Sequence, residues 1–250
     1  MKPAIAVQLF TLRDLLAADF WGVLTKVKEM GYAGVEWAGL NGHSAAEAGA
    51  FAENLGLASA AMHVGMARLQ DDLPALLEEA RQLRTHHLVC SSLPKTMRDE
   101  AGYKTFRRQI NEIAEKVKSE GFTIGYHNHD FELGTSVDGS PALAYLLRPE
   151  AGNSLLAEVD LYWVRKGGCD PLSFIQPYAN RMPTIHLKDM SADESQSFAE
   201  VGSGVIDFAP ILKWCERSGV KWYVVEQDIC RTDPMECIRT SLKNLHKLIG

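Results

Sequence analysis

Two hydrophobic periods take turns along this chain. Stretches with apolar positions at helical spacing end in a glycine, and a short β-branched or aromatic run begins at once. Lys28 to Gly31 leads into Tyr32 to Trp37, and Glu53 to Gly56 leads into Leu57 to Val64. Gly121 before Phe122 and Gly219 before Val220 repeat the pattern. Glycine just past a helix takes the left-handed conformation without a Cβ clash, so these glycines mark helix ends. Helix starts carry the complementary mark. Ser44 with Glu47, and Asp233 with Glu236 behind Pro234, read as capping boxes, and Asp170 before Pro171 reads as another start.

The pattern predicts strands at 4–9, 33–37, 58–64, 86–91, 122–128, 154–160, 183–187 and 221–226. It predicts helices near 19–30, 44–55, 71–84, 99–120, 140–148, 170–179, 207–218 and 233–248. Strict alternation implies right-handed parallel crossovers. Eight such units favour closure into an α/β, (β/α)8 barrel, one domain over residues 1–250. No glycine-rich phosphate fingerprint follows the first strand, which argues against an open doubly wound sheet. The polar stretch from Met190 to Ile206 follows strand seven and could close over the catalytic mouth as a lid.

Composition narrows the partners. The length of 250 residues suits one closed barrel, and 46% hydrophobic residues supply a large core. A formal charge of −6 lacks the basic footprint of an extended nucleic-acid interface. The segment from Met1 shows no signal-peptide pattern, and no apolar run approaches a membrane span. Five cysteines without a CxxC pair argue against a disulfide framework. A cytoplasmic enzyme with a small-molecule substrate, no nucleic acid and no membrane is expected.

Barrel active sites lie at the C-terminal strand ends. Polar residues there are Gln8, Glu36, His63, His127 with His129, Glu158 with Asp160, His186 with Lys188, and Glu226 with Asp228. Period two places each pair on one face. Imidazoles and carboxylates converging from several strands suit one divalent ion, Mn²⁺ or Zn²⁺ before Mg²⁺ or Co²⁺. The expected ligands are Asp160, His186, Glu226 and one strand-five imidazole, His129 or else His127. A carboxylate or imidazole beside the ion, among Glu226, His127 and His63, is expected to shuttle the proton. Lys188 is expected to pair with a carboxylate or to polarise a substrate oxygen. Gln8, Glu36 and Trp163 are expected to bind substrate beside it. Trp163, Trp37, Phe10 and Phe131 offer apolar walls for a sugar face. Asp189 and Asp228 read as caps or surface turns, and Glu132 as a loop residue that could support the site.

At these residues the chain resembles the xylose isomerase-like TIM-barrel superfamily, the sugar phosphate isomerase/epimerase or AP endonuclease 2 family. The resemblance rests on Val7 to Arg13, Gly31 to Glu36, Tyr126 to Glu132, Asp160 to Trp163, Ile185 to Asp189, Val201 to Asp207 and Val225-Glu226, so it covers nearly the whole chain. It implies metal ligands at strands five to eight, of which Asp160, His186 and Glu226 match. Strand five departs, with His127 or His129 where ketose epimerases carry a glutamate, and Trp163 stands where some relatives have a histidine. The resemblance implies a sugar, sugar phosphate or polyol isomerase or epimerase working through a metal-bound enediolate. The alternative is a dehydratase, lyase or hydrolase of keto-sugars or inososes. Barrels of this kind often pair, which leaves a homodimer open. A DNA-repair endonuclease on this fold is disfavoured by the acidic charge.

Overall fold

The computed structural model describes residues 2–250. Eight parallel strands close into a barrel: β1 (Ala4–Gln8), β2 (Gly34–Trp37), β3 (Ala58–Val64), β4 (His87–Cys90), β5 (Thr123–His127), β6 (Leu156–Asp160), β7 (Thr184–Leu187) and β8 (Trp222–Val225). β8 pairs with β1, so no edge of this sheet is left open. All eight predicted strands are present, most of them trimmed by a residue or two. That trimming puts Glu226 just past its strand, where His129 and Lys188 already stood past theirs.

Helices cover the outside. The longest, Glu100–Lys118, turns Tyr103, Phe106, Ile110, Ile113, Ala114 and Val117 inward at helical spacing. Burying a large side chain of this kind stabilises the fold by roughly 1.5–3 kcal/mol. Ser44 makes the full capping box with Glu47 ahead of Ala45–Leu55, and Gly56 ends that helix at φ 70°. Asp233 is only half of one. It accepts the Met235 N–H, while Glu236 pairs with Arg239 instead.

Two predicted helices are divided, and short helices at Arg13–Ala18, Phe131–Gly134 and Leu161–Lys166 were not foreseen. The span 71–84 is the end of Met66–Asp71 followed by Leu73–Gln82, because Pro74 fits a first turn, where its missing N–H costs nothing. The span 170–179 is Pro171–Ile175 followed by a 3₁₀ turn at Gln176–Tyr178 that contains Pro177. Leu161–Lys166 is helical directly after β6, capped by the Asp160 carboxylate, which accepts the Trp163 N–H at 3.1 Å.

The stretch after β7 is pinned rather than a free flap. Asp189–Met190 pairs antiparallel with Phe198–Ala199. The Asp189 carboxylate accepts the N–H groups of Met190, Gly202, Gly204 and Ile206 at 2.8–3.1 Å. Gly204 is required there, since a Cβ would lie 2.2 Å from the Met190 carbonyl oxygen. Asp189 is therefore the organiser of this loop, not a helix cap.

Candidate active site

Ionisable side chains fill the C-terminal half of the barrel in two layers joined by His186. In the upper layer the Lys188 ammonium is fully buried. It lies 2.8 Å from Asp160 Oδ2, 2.8 Å from Glu226 Oε2 and 2.6 Å from Asp228 Oδ2. In the lower layer His63 Nε2 is 2.6 Å from Glu158 Oε1 and 3.3 Å from Glu36 Oε2. His186 Nε2 faces the same two carboxylates at 2.6 Å (Glu36) and 3.1 Å (Glu158), while its Nδ1 reaches up to Glu226 Oε2 at 3.0 Å. Gln8 donates to Glu36 at 2.7 Å and Thr184 to Glu158 at 2.5 Å, which closes the network from below.

These surroundings set the charges. Burial opposes ionisation of Glu226, but the Lys188 ammonium and His186 outweigh it and hold this carboxyl well below the usual carboxylate range. Burial pushes Glu36 up to about 7, with Glu158 adding to the effect. Burial likewise raises Glu158, yet His186 and His63 overcome it and keep Glu158 ionised. His63 is raised because Glu36 and Glu158 together exceed the cost of burying its cation. Burial raises Asp160 to about 6 against the pull of Lys188. Burial lowers His129 to about 4, helped by Lys188.

Ligand atoms from His127, Asp160, His186 and Glu226 lie within 4.8 Å of one another, and a second set, His63, His127, Glu158 and His186, meets the same limit. His127 Nε2 and His186 Nδ1 each lie 4.0 Å from Asp160 Oδ2, the oxygen that also faces Lys188 at 2.8 Å. His127 Nδ1 is buried without a hydrogen-bond partner. Two imidazoles and two carboxylates converging in this way fit a divalent ion. Lys188 would share Asp160 and Glu226 with that ion.

At strand five one of the two expected imidazoles is nearer the other candidate ligands. His127, not His129, stands in both sets. His129 lies past the end of β5, and its ring stacks on Phe131 with centroids 5.3 Å apart. Asn128 makes that turn, its side-chain oxygen accepting the Asp160 N–H at 2.9 Å. Gln8 and Glu36, expected to bind substrate, are fully buried beneath His186 and away from the cavity. Trp37 is also no wall. It is fully buried, and its Nε1 donates to Ser59 at 2.8 Å.

A cavity of about 350 Å³ opens at this mouth, lined in part by Phe10, His63, His127, His129, Glu226 and Asp228. Trp163 stands beside it, packed between His129 and Phe198. Asp228 is thus a cavity residue bonded to Lys188 rather than a surface turn. Ser91 and Ser92, just after β4, also line the cavity and were missed. The rule of strand ends points to them, but no charge or ring drew attention to that strand. Phe198 was missed too, because only the pinned loop brings it over Tyr162 and Trp163. Glu132 supports the turn, accepting the Tyr126 hydroxyl at 2.6 Å and the His129 N–H at 2.8 Å.

Among curated proteins, the chain is 26% identical over 171 residues to an inosose dehydratase of Clostridium beijerinckii, covering 61% of this chain and 56% of that protein. A second inosose dehydratase, from Lacticaseibacillus casei, is 27% identical over 146 residues, covering 51% of this chain and 48% of the relative. The chain thus spans about half the length of the curated relatives it matches. A sugar phosphate isomerase/epimerase structure from Parabacteroides distasonis superposes with a TM-score of 0.81 at 23% identity, covering 97% of each chain. An L-ribulose 3-epimerase structure superposes at 0.74 with 14% identity, covering 99% of this chain and 94% of the other. Residues 24–248 match the family model described as xylose isomerase-like TIM barrel. With that match over most of its length and eight parallel strands closed around one polar centre, the chain belongs to the xylose isomerase-like TIM-barrel family.

Proposed function

We propose that this protein removes water from a small keto-polyol of the inosose or keto-sugar class by β-elimination, assisted by a divalent metal ion. The observation that carries the reading is the pairing of roles on one cavity. Glu226 is held ionised by Lys188 and His186, while His63 is gripped through Nε2 by Glu158 at 2.6 Å. His127, Asp160, His186 and Glu226 would hold the ion. When bound, it would supply a Lewis acid that lowers the barrier to taking a proton beside a carbonyl.

Glu226 takes the proton from the carbon next to the carbonyl. The ring nitrogen of His63 not held by Glu158 delivers a proton to the hydroxyl leaving the next carbon, which departs as water. The carbon–carbon double bond forms as the C–O bond breaks, and solvent returns the two protonated states to their starting forms. Lys188 keeps Glu226 charged and turned toward the cavity. The curated inosose dehydratases support this reading within the limits of their partial overlap.

Isomerisation or epimerisation is the second reading. It is favoured by the approach of His127 and Glu226 ligand atoms to within 4.8 Å, which places two proton carriers at one spot. Incubation with an inosose or a ketohexose in D₂O under each divalent ion, followed by NMR, separates the two. An unsaturated ketone with loss of water is expected, and interconversion of isomers alone would select the second reading. Glu226→Gln should lower turnover by roughly 100-fold or more while ligand affinity changes only a few-fold. Wild-type turnover in that variant removes Glu226 as the base, and no turnover under any ion rejects both readings.

A further inference from the structure

The cationic side chains around the mouth are already engaged. Lys188 is shared among Asp160, Glu226 and Asp228. Arg98 stands behind the cavity wall, donating to the Leu93 carbonyl at 3.0 Å and the Ser92 hydroxyl at 3.3 Å, with its guanidinium over the Phe131 ring. Arg13 donates to the Phe10 carbonyl at 2.9 Å and lies over the Phe10 ring. Arg231 is paired with Asp193 at 3.1 Å and with Ser197. Among the described residues, none that lines the cavity is a lysine or an arginine, and two of them, Glu226 and Asp228, are carboxylates.

The charge count leads to the same place. Asp160, Glu226 and Asp228 bring three negative charges to Lys188. The ammonium and a divalent ion held through neutral His127 and His186 would just balance them, with nothing left over for a dianionic phosphate. The volume of about 350 Å³ lies at the low end of ligand sites, which run from roughly 300 to 1,000 Å³. Hydroxyls and imidazoles at Ser91, Ser92, His63 and His129 suit the alternating donors and acceptors of a polyhydroxy ring.

We propose that this cavity selects an uncharged polyhydroxy ketone over its phosphate ester, and that Asp228 is the residue that enforces the choice. This rests on the reading above for where the substrate lies. Glu226 Oε2 is tied to both His186 and Lys188 and its side chain is nearly buried, whereas Asp228, held to Lys188 through Oδ2, is a quarter exposed at the cavity wall. Its carboxylate can accept substrate hydroxyls and repels an anion in the same position.

The test is calorimetric, on the full chain loaded with Mn²⁺. The probes are an inosose, a ketohexose and the monophosphate ester of each, measured on wild type and Asp228→Asn. The uncharged ligands should bind at least about tenfold more tightly than their esters, a gap that narrows severalfold in the variant. Equal or tighter binding of the esters by wild type overturns the proposal, as does a wild-type protein that binds none of the four. An unchanged gap in the variant removes Asp228 from it. The wild-type comparison stands even if the variant does not fold. Uncharged ligands that bind without turnover support this selectivity while rejecting the proposed reaction.

Discussion

The two polar layers of the barrel carry similar carboxylates but balance them differently. Above, Asp160, Glu226 and Asp228 surround a lysine whose ammonium is present at any ordinary pH. Below, Glu36 and Glu158 have no lysine beside them and face His63 and His186, whose charge depends on protons. The fixed cation keeps Glu226 ionised across the ordinary pH range, which suits a base that must stay charged. The lower layer gains and loses protons near neutrality, which suits a support that adapts to what His186 does above it.

Removing the fixed cation should produce the largest effect. Lys188→Met leaves three carboxylates at the mouth without their shared partner and should cost about 3–5 kcal/mol of stability in the metal-free protein. Added Mn²⁺ should restore much of that loss, because an ion can take over the same oxygens. Urea titration with and without metal measures both, and a variant as stable as wild type without metal would end the distinction between the layers.

Glu36→Gln tests the lower layer with a smaller perturbation. Glu36 holds His186 Nε2 at 2.6 Å, so its loss should weaken metal affinity by roughly 10–100-fold through the orientation of that ring. KM should stay near its wild-type value, since Glu36 does not line the cavity. A raised KM with unchanged metal affinity would instead return Glu36 to substrate binding. Competition against a chromophoric chelator gives the affinity.

The smallest expected effect is a slope with pH. Glu36 is raised to about 7 and His63 is raised as well, so the folded, metal-free protein binds more protons near neutrality than the unfolded chain does. Stability from both groups is present at the acid side and is lost as pH rises through their folded values. Asp160, raised to about 6, acts in the same direction. The contribution of these groups should therefore fall between roughly pH 5 and pH 8. Burial lowers His87 and His129 to about 4 and makes their contribution rise, so the slope to read is the difference between wild type and Glu36→Gln. A wild-type advantage over Glu36→Gln that grows as pH rises over this window would contradict the charge assignment of the lower layer.

Much of the fold was legible because it is local. Glycine at helix ends, Ser44 with Glu47 and alternating apolar runs each act over a few residues, and all eight strands followed from them. Breaks within helices were also written locally, in Pro74 and Pro177, but the apolar period hid them. The helix after β6 left a sign of its own, an aspartate three residues ahead of the backbone N–H it caps. One oxygen of that aspartate caps the helix while the other faces Lys188 in the site.

Period two could name the face on which His127 and His129 stand but not how far the strand runs. Where β5 stops is decided by the buried Asn128 bonding across to the backbone of Asp160, thirty-two residues away. The same limit applies to depth. Gln8 and Glu36 looked like Glu226 in sequence, each polar at a strand end, yet barrel closure places the first two under His186 and the third beside the cavity. The sequence by itself determined the barrel and the polar residues at its strand ends, because hydrophobic period and turn chemistry are properties of neighbours. Only the tertiary structure decided which of them meet, which nitrogen of His186 faces which layer, and that Lys188 belongs to three carboxylates. Those choices depend on the tilt and closure of strands far apart in the chain.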